Sequence, residues 1–272
     1  MIVSVYSNQP NSGKKTLAMS LAVEAAKQDI KVLLMDLDYL NSSFASAYGI
    51  THSKKNTEMY FEQATKYGDF KIGNSIIKAS ETETNIQALK KNMNQYPKTL
   101  DFFVYTERFT PDLLQPSLMQ NWTGNQCYEF MTRFNAELKS SDYDLIIQVL
   151  PTGLDDMFAL PVILTCDKCI NIMKFSIKQI ELTKDLITAF DTNTSQKFIH
   201  VLNETSKKIE KKEYESICHP IKLSSVIPYD ENRSFNELNG IVGSNVINSA
   251  ALNLLNQCGL EIKSKKGLFS RN

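Results

Sequence analysis

The sequence predicts an α/β fold: a doubly wound, mostly parallel sheet with helices on both faces. Three observations carry this. Short apolar runs alternate with helical periodicity along most of the chain, the runs are near-continuous as in strands buried on both faces, and the connections are short. At 272 residues the chain exceeds the usual domain of roughly 100–150 residues but fits one large α/β domain. A composition of 42% apolar, 10% aromatic and 22% charged residues supports a real core and excludes disordered or collagen-like chains. Thirty basic residues against thirty acidic ones give zero formal charge. Counterion release then has no global source, so membrane contact has to be local and no specific nucleic-acid partner is expected.

Taken in order, residues 1–7 form a β-rich run, and 8–13 are dense in turn formers. Leu17, Ala18, Leu21, Ala22 and Ala25 recur at helical steps from Thr16 to about Gln28, and 31–36 is a second apolar strand. Strand, turn, helix and strand make a βαβ unit. Residues 51–98 mix helical pattern with polar stretches and read as helices and loops. Strands follow at 100–105, 143–150, 168–173, 197–202 and 222–227, with helices at 125–139, 177–190, 207–218 and 241–258.

Several features point away from chemistry. The five cysteines are odd in number and irregularly placed, which argues for a reducing compartment. Residues 1–30 lack a signal-peptide pattern, and no run approaches ~18 apolar residues, so a cytoplasmic chain is expected. Glutamates interleave with the lysines of 207–212, as on a solvated helix face with paired charges. His52, His200 and His219 are scattered, and no Ser/His/Asp ordering supports a hydrolase triad.

In a doubly wound sheet the informative residues follow the strands, and the first such loop is the sharpest. Ser7-Asn-Gln-Pro-Asn-Ser-Gly-Lys-Lys-Thr16 has the length and position of a P-loop, whose backbone N–H groups wrap phosphates while a lysine pairs with the terminal ones. Gly13 and Lys14 fill the core of the pattern. Asn8 stands where the first glycine is required, and Lys15 where a Ser or Thr would bind Mg²⁺. Sliding the register by one places Lys15 and Thr16 on the Lys–Thr pair, but Lys14 then carries a Cβ into the glycine position, so Lys14 is preferred as the phosphate lysine. A plain strand-to-helix turn is the alternative.

At this point the chain resembles the MinD/ParA-type deviant Walker A ATPases, with a flavour of the CpaE/TadZ-like Flp/Tad pilus proteins. Asp36-Leu-Asp38 resembles the Walker A′ element, and 143–147 with Leu150-Pro-Thr-Gly-Leu-Asp155 resembles the Walker B strand and switch II. Asn203 falls where the family's adenine-reading Asn sits, and Ile227-Pro-Tyr-Asp-Glu231 with Asn236 resembles the late loop. The resemblance implies a P-loop NTPase, Rossmann-like domain over 1–259, with 51–98 variable and a basic-apolar tail at 260–272. It implies nucleotide binding by Asn11, Ser12, Gly13, Lys14, Lys15, Thr16, Asn203 and Pro228, and a water-positioning, catalytic role for Asp38. Strand-end carboxylates are also ordinary solubilising or capping residues.

The departures from the family shape the expectation. Its signature lysine, which crosses a dimer, corresponds to Gln9, its Mg²⁺-binding Ser/Thr to Lys15, and its Walker B Asp to Val149, with Gln148 alongside. A lysine cannot ligate a hard cation. Losing metal anchors and a clamp lysine costs several kcal/mol of transition-state stabilisation, at roughly tenfold in rate per 1.4 kcal/mol. Two ammonium groups can partly substitute for the cation at a helix start. The expectation is ATP or ADP held weakly or not at all, without Mg²⁺ and with poor turnover: a pseudo-ATPase. The alternatives are a slow true ATPase using Lys14 and Asp38, and a nucleotide-free interaction module.

Two further motifs carry less information. Cys166-Asp-Lys-Cys169 is a CxxC, but a lone one reads as core cysteine, so zinc is not expected. In the tail, Lys265 and Lys266 beside Leu268 and Phe269 allow weak, reversible membrane contact, against the plainer reading of a frayed solubilising tail. The resemblance implies a positioning or assembly factor, homodimeric or monomeric. Its expected partners are proteins of a membrane-associated pilus or secretion machine at the inner membrane face.

Overall fold

The computed structural model describes residues 1–84, 87, 89–90, 95–111, 122–155, 157–238 and 241–262. Over these the chain runs β1 (Ile2–Ser7), α1 (Lys14–Ala26), β2 (Val32–Asp36), α2 (Phe44–Tyr48), α3 (Thr57–Tyr67), β3 (Ile77–Lys78) and β4 (Leu100–Phe103). It continues with α4 (Gly124–Ser140), β5 (Leu145–Thr152), α5 (Ala159–Thr165), β6 (Lys168–Lys174), α6 (Ile177–Ala189), α7 (Thr192–Ser195) and β7 (Phe198–Thr205). The last elements are α8 (Lys211–Cys218), β8 (Leu223–Pro228), α9 (Arg233–Leu238) and α10 (Asn245–Gln257).

The strands form one sheet in the order β3-β4-β2-β5-β1-β6-β7-β8. Every pairing is parallel except β3 with β4, so the predicted doubly wound, mostly parallel sheet is what the chain forms. β1 lies between β5 and β6, where the winding reverses, and the loop after it opens at the carboxyl edge, where such folds bind ligands. Register aligns the strand ends there: Ser7 pairs with Thr152, Asp36 with Val149, Lys174 with Asn203 and Thr205 with Pro228.

Alternation along the strands divides the core in two. Val3, Val5, Leu34, Ile147, Ile170 and Val201 pack against Leu17, Leu21 and Ala22 of α1 and Leu254 and Leu255 of α10. Ile2, Tyr6, Leu33, Met35 and Leu150 face an aromatic cluster in which Phe61 meets Phe103, Phe130, Phe134 and Phe158 at ring-centroid distances of 5.2–6.3 Å. Burying each large side chain contributes roughly 1.5–3 kcal/mol. α4 starts at a reciprocal cap between Thr123 and Gln126.

Some elements differ from the sequence reading. The stretch 51–98 contains α3, capped by Asn56 Oδ1 accepting from Met59 N at 2.9 Å, and the antiparallel β3. The helix expected from Lys207 starts at Lys211, and the one expected from Ile241 starts at Asn245, because Gly243 and the capping Ser244 delay it. The strand read at 100–105 ends at Phe103. α5, at 7 residues, shows no period in the sequence. It is set by Asp155, whose carboxylate accepts from Met157 N at 2.9 Å and Phe158 N at 2.7 Å.

Among the described residues, no helix is long and apolar enough to cross a membrane. Lys265, Lys266, Leu268 and Phe269 lie outside the described residues. Cys166 and Cys169 are buried, and burial pushes the Cys166 thiol up to about 11 and the Cys169 thiol up as well.

Candidate nucleotide site

The loop between β1 and α1 is shaped by two left-handed residues, Asn11 at φ +55° and Gly13 at φ +93°. A Cβ on Gly13 would lie 2.5 Å from Asn203 Nδ2, so glycine is required both for the dihedral and for the space. Asn203 fastens the loop to β7, donating through Nδ2 to Ser12 O at 2.8 Å. Gly13 O accepts from Leu17 N at 3.0 Å, closing the first turn of α1. Asn8 Oδ1, Gln9 Oε1 and Ser12 Oγ are buried without a protein hydrogen-bond partner. Successive backbone N–H groups in a loop of this conformation are the arrangement that binds anions in other proteins.

Two lysines open α1, and each takes a different aspartate. Lys14 Nζ donates to Leu150 O at 2.7 Å and Thr152 Oγ1 at 3.1 Å, and lies 3.1 Å from Asp38 Oδ2. Burial lowers the Lys14 pKa, and Asp38 opposes the shift. Lys15 Nζ lies 3.4 Å from Asp36 Oδ2, donates to Ser43 Oγ at 3.2 Å and to Asn41 O, and sits 5.7 Å from the Phe44 ring centroid. Asp36 is fully buried, which pushes its carboxyl up to about 6 while Lys15 pulls it down; its Oδ1 accepts from Asp38 N at 3.1 Å. Val149, at the Walker B position, packs into the core cluster with α1, and its carbonyl accepts from Leu37 N at 2.9 Å. Gln148 turns to the opposite face, where its Nε2 donates to Asn135 Oδ1 at 2.9 Å.

Above the loop is a cavity of about 900 Å³ lined by Asn11–Thr16, Asp38, Ser43 and Thr152. A smaller one of about 40 Å³ adjoins it, lined by Asn203, Pro228, Ile241 and Ile247. Arg233 stands between them: its Nη2 donates to Thr16 Oγ1 at 2.8 Å, and its Nη1 lies 3.3 Å from Glu204 Oε1. Lys174 Nζ holds the other Glu204 oxygen at 2.7 Å.

The structure thus brings Asn11, Ser12, Gly13, Lys14, Lys15, Thr16 and Asp38 around one space, and Asn203 and Pro228 around the space beside it. Sequence reasoning missed Lys174, Glu204 and Arg233, and included Thr152 in the segment 150–155 without a role of its own. Lys174 and Glu204 end or nearly end strands, so reading the close of β6 and β7 as strictly as that of β1 would have found them. Arg233 has only its place in the late loop as a signal.

A parallel sheet with a glycine loop, a buried lysine and a cavity at the switch point defines a P-loop-type nucleotide-binding protein. Residues 3–241 match the CobQ/CobB/MinD/ParA nucleotide binding domain, and the chain belongs to that family. No curated protein sequence matches it. Among solved structures it is similar to the septum site-determining protein MinD of Pyrococcus horikoshii in complex with Mg-ADP, at 17% identity over 95% of this chain and 97% of that one, TM-score 0.64. A putative plasmid partition protein of Borrelia burgdorferi bound to AMPPNP gives 18% identity, coverage of 94% and 96%, and TM-score 0.63. MinD in the Aquifex aeolicus MinC:MinD complex gives 15%, 97% and 98%, and 0.65. At such identities the likeness establishes the fold.

Proposed function

We propose that this chain is a MinD/ParA-like positioning or assembly factor, one that holds ATP or ADP weakly with lysines in place of magnesium and turns it over poorly. The observation that carries the reading is the crossed pairing of Lys14 with Asp38 and Lys15 with Asp36. The residues do not fit a magnesium ion. An ammonium stands against the carboxylate a cation would approach, and the second anchor position is the buried Val149. Lys14 is engaged by Asp38, so Asp38 is a counter-ion for the phosphate lysine before it is a water-positioning base.

The family's implied setting follows as part of this proposal. The chain acts with protein partners of a membrane-associated pilus or secretion machine at the inner membrane face. A constitutive homodimer and a monomer are both compatible with this reading, since Gln9 replaces the lysine that crosses between subunits in the family. The 260–272 tail, with Lys265, Lys266, Leu268 and Phe269, adds weak lipid contact. Support for this setting is the resemblance, together with MinD being solved in complex with MinC in Aquifex aeolicus.

Thermal unfolding with ATP and ADP, in EDTA and in Mg²⁺, tests the nucleotide reading. Ligand at about 100 Kd stabilises the fold by roughly 2.7 kcal/mol, and the shift in Tm is expected to be the same in both buffers. No shift with either nucleotide would support an empty interaction module. Mg²⁺-dependent phosphate release that disappears in Lys14→Ala would establish the slow ATPase instead.

A further inference from the structure

Gly13, Thr16, Tyr48, Glu204 and Arg233 line both cavities, so they frame the passage between them. A ligand with phosphates on residues 11–16 and a flat group beside Pro228 has to run its linking atoms through this passage. Arg233 bars it, bonded to Thr16 on one side and Glu204 on the other. The second cavity, at about 40 Å³, has room for no more than a few water molecules, so admitting a purine requires its wall to move. Arg233 is in that wall.

We propose that Arg233 binds the phosphate adjoining the ribose of a nucleoside di- or triphosphate. In doing so its guanidinium exchanges the Thr16 hydroxyl and one Glu204 oxygen for two phosphate oxygens, and the same movement opens the second cavity. The proposal rests on the nucleotide reading above.

Three features favour this exchange. The two N–H groups now directed at Thr16 and Glu204 belong to one planar fork, which matches two phosphate oxygens better than a hydroxyl and a carboxylate on separate elements. The exchange strands no charge, because Glu204 keeps Lys174 at 2.7 Å and the Thr16 hydroxyl, now an acceptor, can donate to the arriving phosphate. Arg233 is also the least buried cation of the site, whereas Lys14 and Lys15 are enclosed with their aspartates. Glu204 itself adopts φ +55° directly after Asn203, a conformation uncommon for its residue type and frequent at ligand-handling positions.

The test is calorimetric titration of the full chain with ADP and with inorganic orthophosphate, which fills the cradle of residues 11–16 without reaching the ribose-adjoining position, each in EDTA and in Mg²⁺, for the native protein, Arg233→Ala and Arg233→Lys. Arg233→Ala is expected to weaken ADP by about tenfold or more while leaving orthophosphate within about twofold. Retained orthophosphate binding also shows that the cradle is folded. Arg233→Lys should recover only part of the loss, since an ammonium is a point charge. Unchanged or tighter ADP binding by Arg233→Ala, or an equal loss for both ligands, would overturn the proposal. A native chain that binds ADP only with Mg²⁺ refutes the metal-free reading and leaves the Arg233 comparison to be decided in that buffer. A native chain that binds ADP in neither buffer refutes both.

Discussion

On the proposed reading the pocket has a phosphate half at residues 11–16 and a base half reached through the passage that Glu204 and Arg233 frame; ion pairs stand at the loop and at that passage, in different surroundings. Lys14 and Asp38 have side chains 6% and 2% exposed, and Lys15 and Asp36 14% and 1%. Lys174, Glu204 and Arg233 are between 26% and 38% exposed. A pair at about 4 Å interacts by roughly 1 kcal/mol in water and 4 kcal/mol at an effective dielectric of 20. The same chemistry is therefore fixed by folding in one half and exchangeable in the other. On the proposed reading, affinity for phosphate belongs to the rigid half, and response to a bound ligand to the solvated one.

The contrast breaks most easily at Lys14. Lys14→Met leaves the buried Asp38 without its cation, and removing one partner of a buried pair costs about 3–5 kcal/mol. Urea denaturation should show this as a lower midpoint with unchanged slope. Adding Asp38→Leu should recover most of the loss, because an apolar pair of similar volume is often neutral. A loss under about 1 kcal/mol in the single variant would mean that the phosphate half is as solvated as the base half.

Asp36 sharpens the same point through pH. Burial raises its carboxyl from 3.8 to about 6, so the fold favours the protonated form. Its contribution is present below pH about 4 and is lost as pH rises through about 6, which for a shift of this size is on the order of 3 kcal/mol. Denaturation midpoints between pH 4 and 7 should fall on this account in the native chain, and the fall should flatten in Asp36→Asn. A profile unchanged by the substitution would place the titration elsewhere.

These pairs also mark where the sequence stopped being legible. The strands could be read because near-continuous apolar runs such as 31–36 have few other uses in a soluble chain, and the glycine loop because Gly13-Lys14 follows one of them directly. Asp36 and Asp38 stand out in the sequence as strand-end carboxylates. Their partners do not, because which lysine faces which aspartate depends on how α1 lies over β2. Arg233 was missed because Thr16 is 217 residues away, and no local pattern reports such a contact. β3 and α5 were too short to show a period.

Gly13→Ala tests the loop that joins the two halves. The left-handed dihedral costs a non-glycine residue roughly 1–2 kcal/mol. The new Cβ would also displace Asn203, 2.5 Å away, endangering a bond to Ser12 O worth about 1 kcal/mol. A total near 2 kcal/mol is expected, with weaker pyrophosphate binding. Combining it with Asn203→Ala should relieve the clash but not the dihedral, so partial recovery is the expected result.

The smallest effect is expected at Glu204. Its pairs with Lys174 and Arg233 are solvated enough that each contributes about 0–1 kcal/mol and weakens further with salt. Glu204→Gln should therefore shift the urea midpoint little, and 0.5 M salt should erase even that, whereas the cost of Lys14→Met should persist in salt because its pair is enclosed. Releasing Arg233 from Glu204 at so small a cost is what lets a ligand compete for it. A Glu204→Gln loss as large and as salt-resistant as that of Lys14→Met would show instead that the base half is locked, and that the passage between the cavities stays closed.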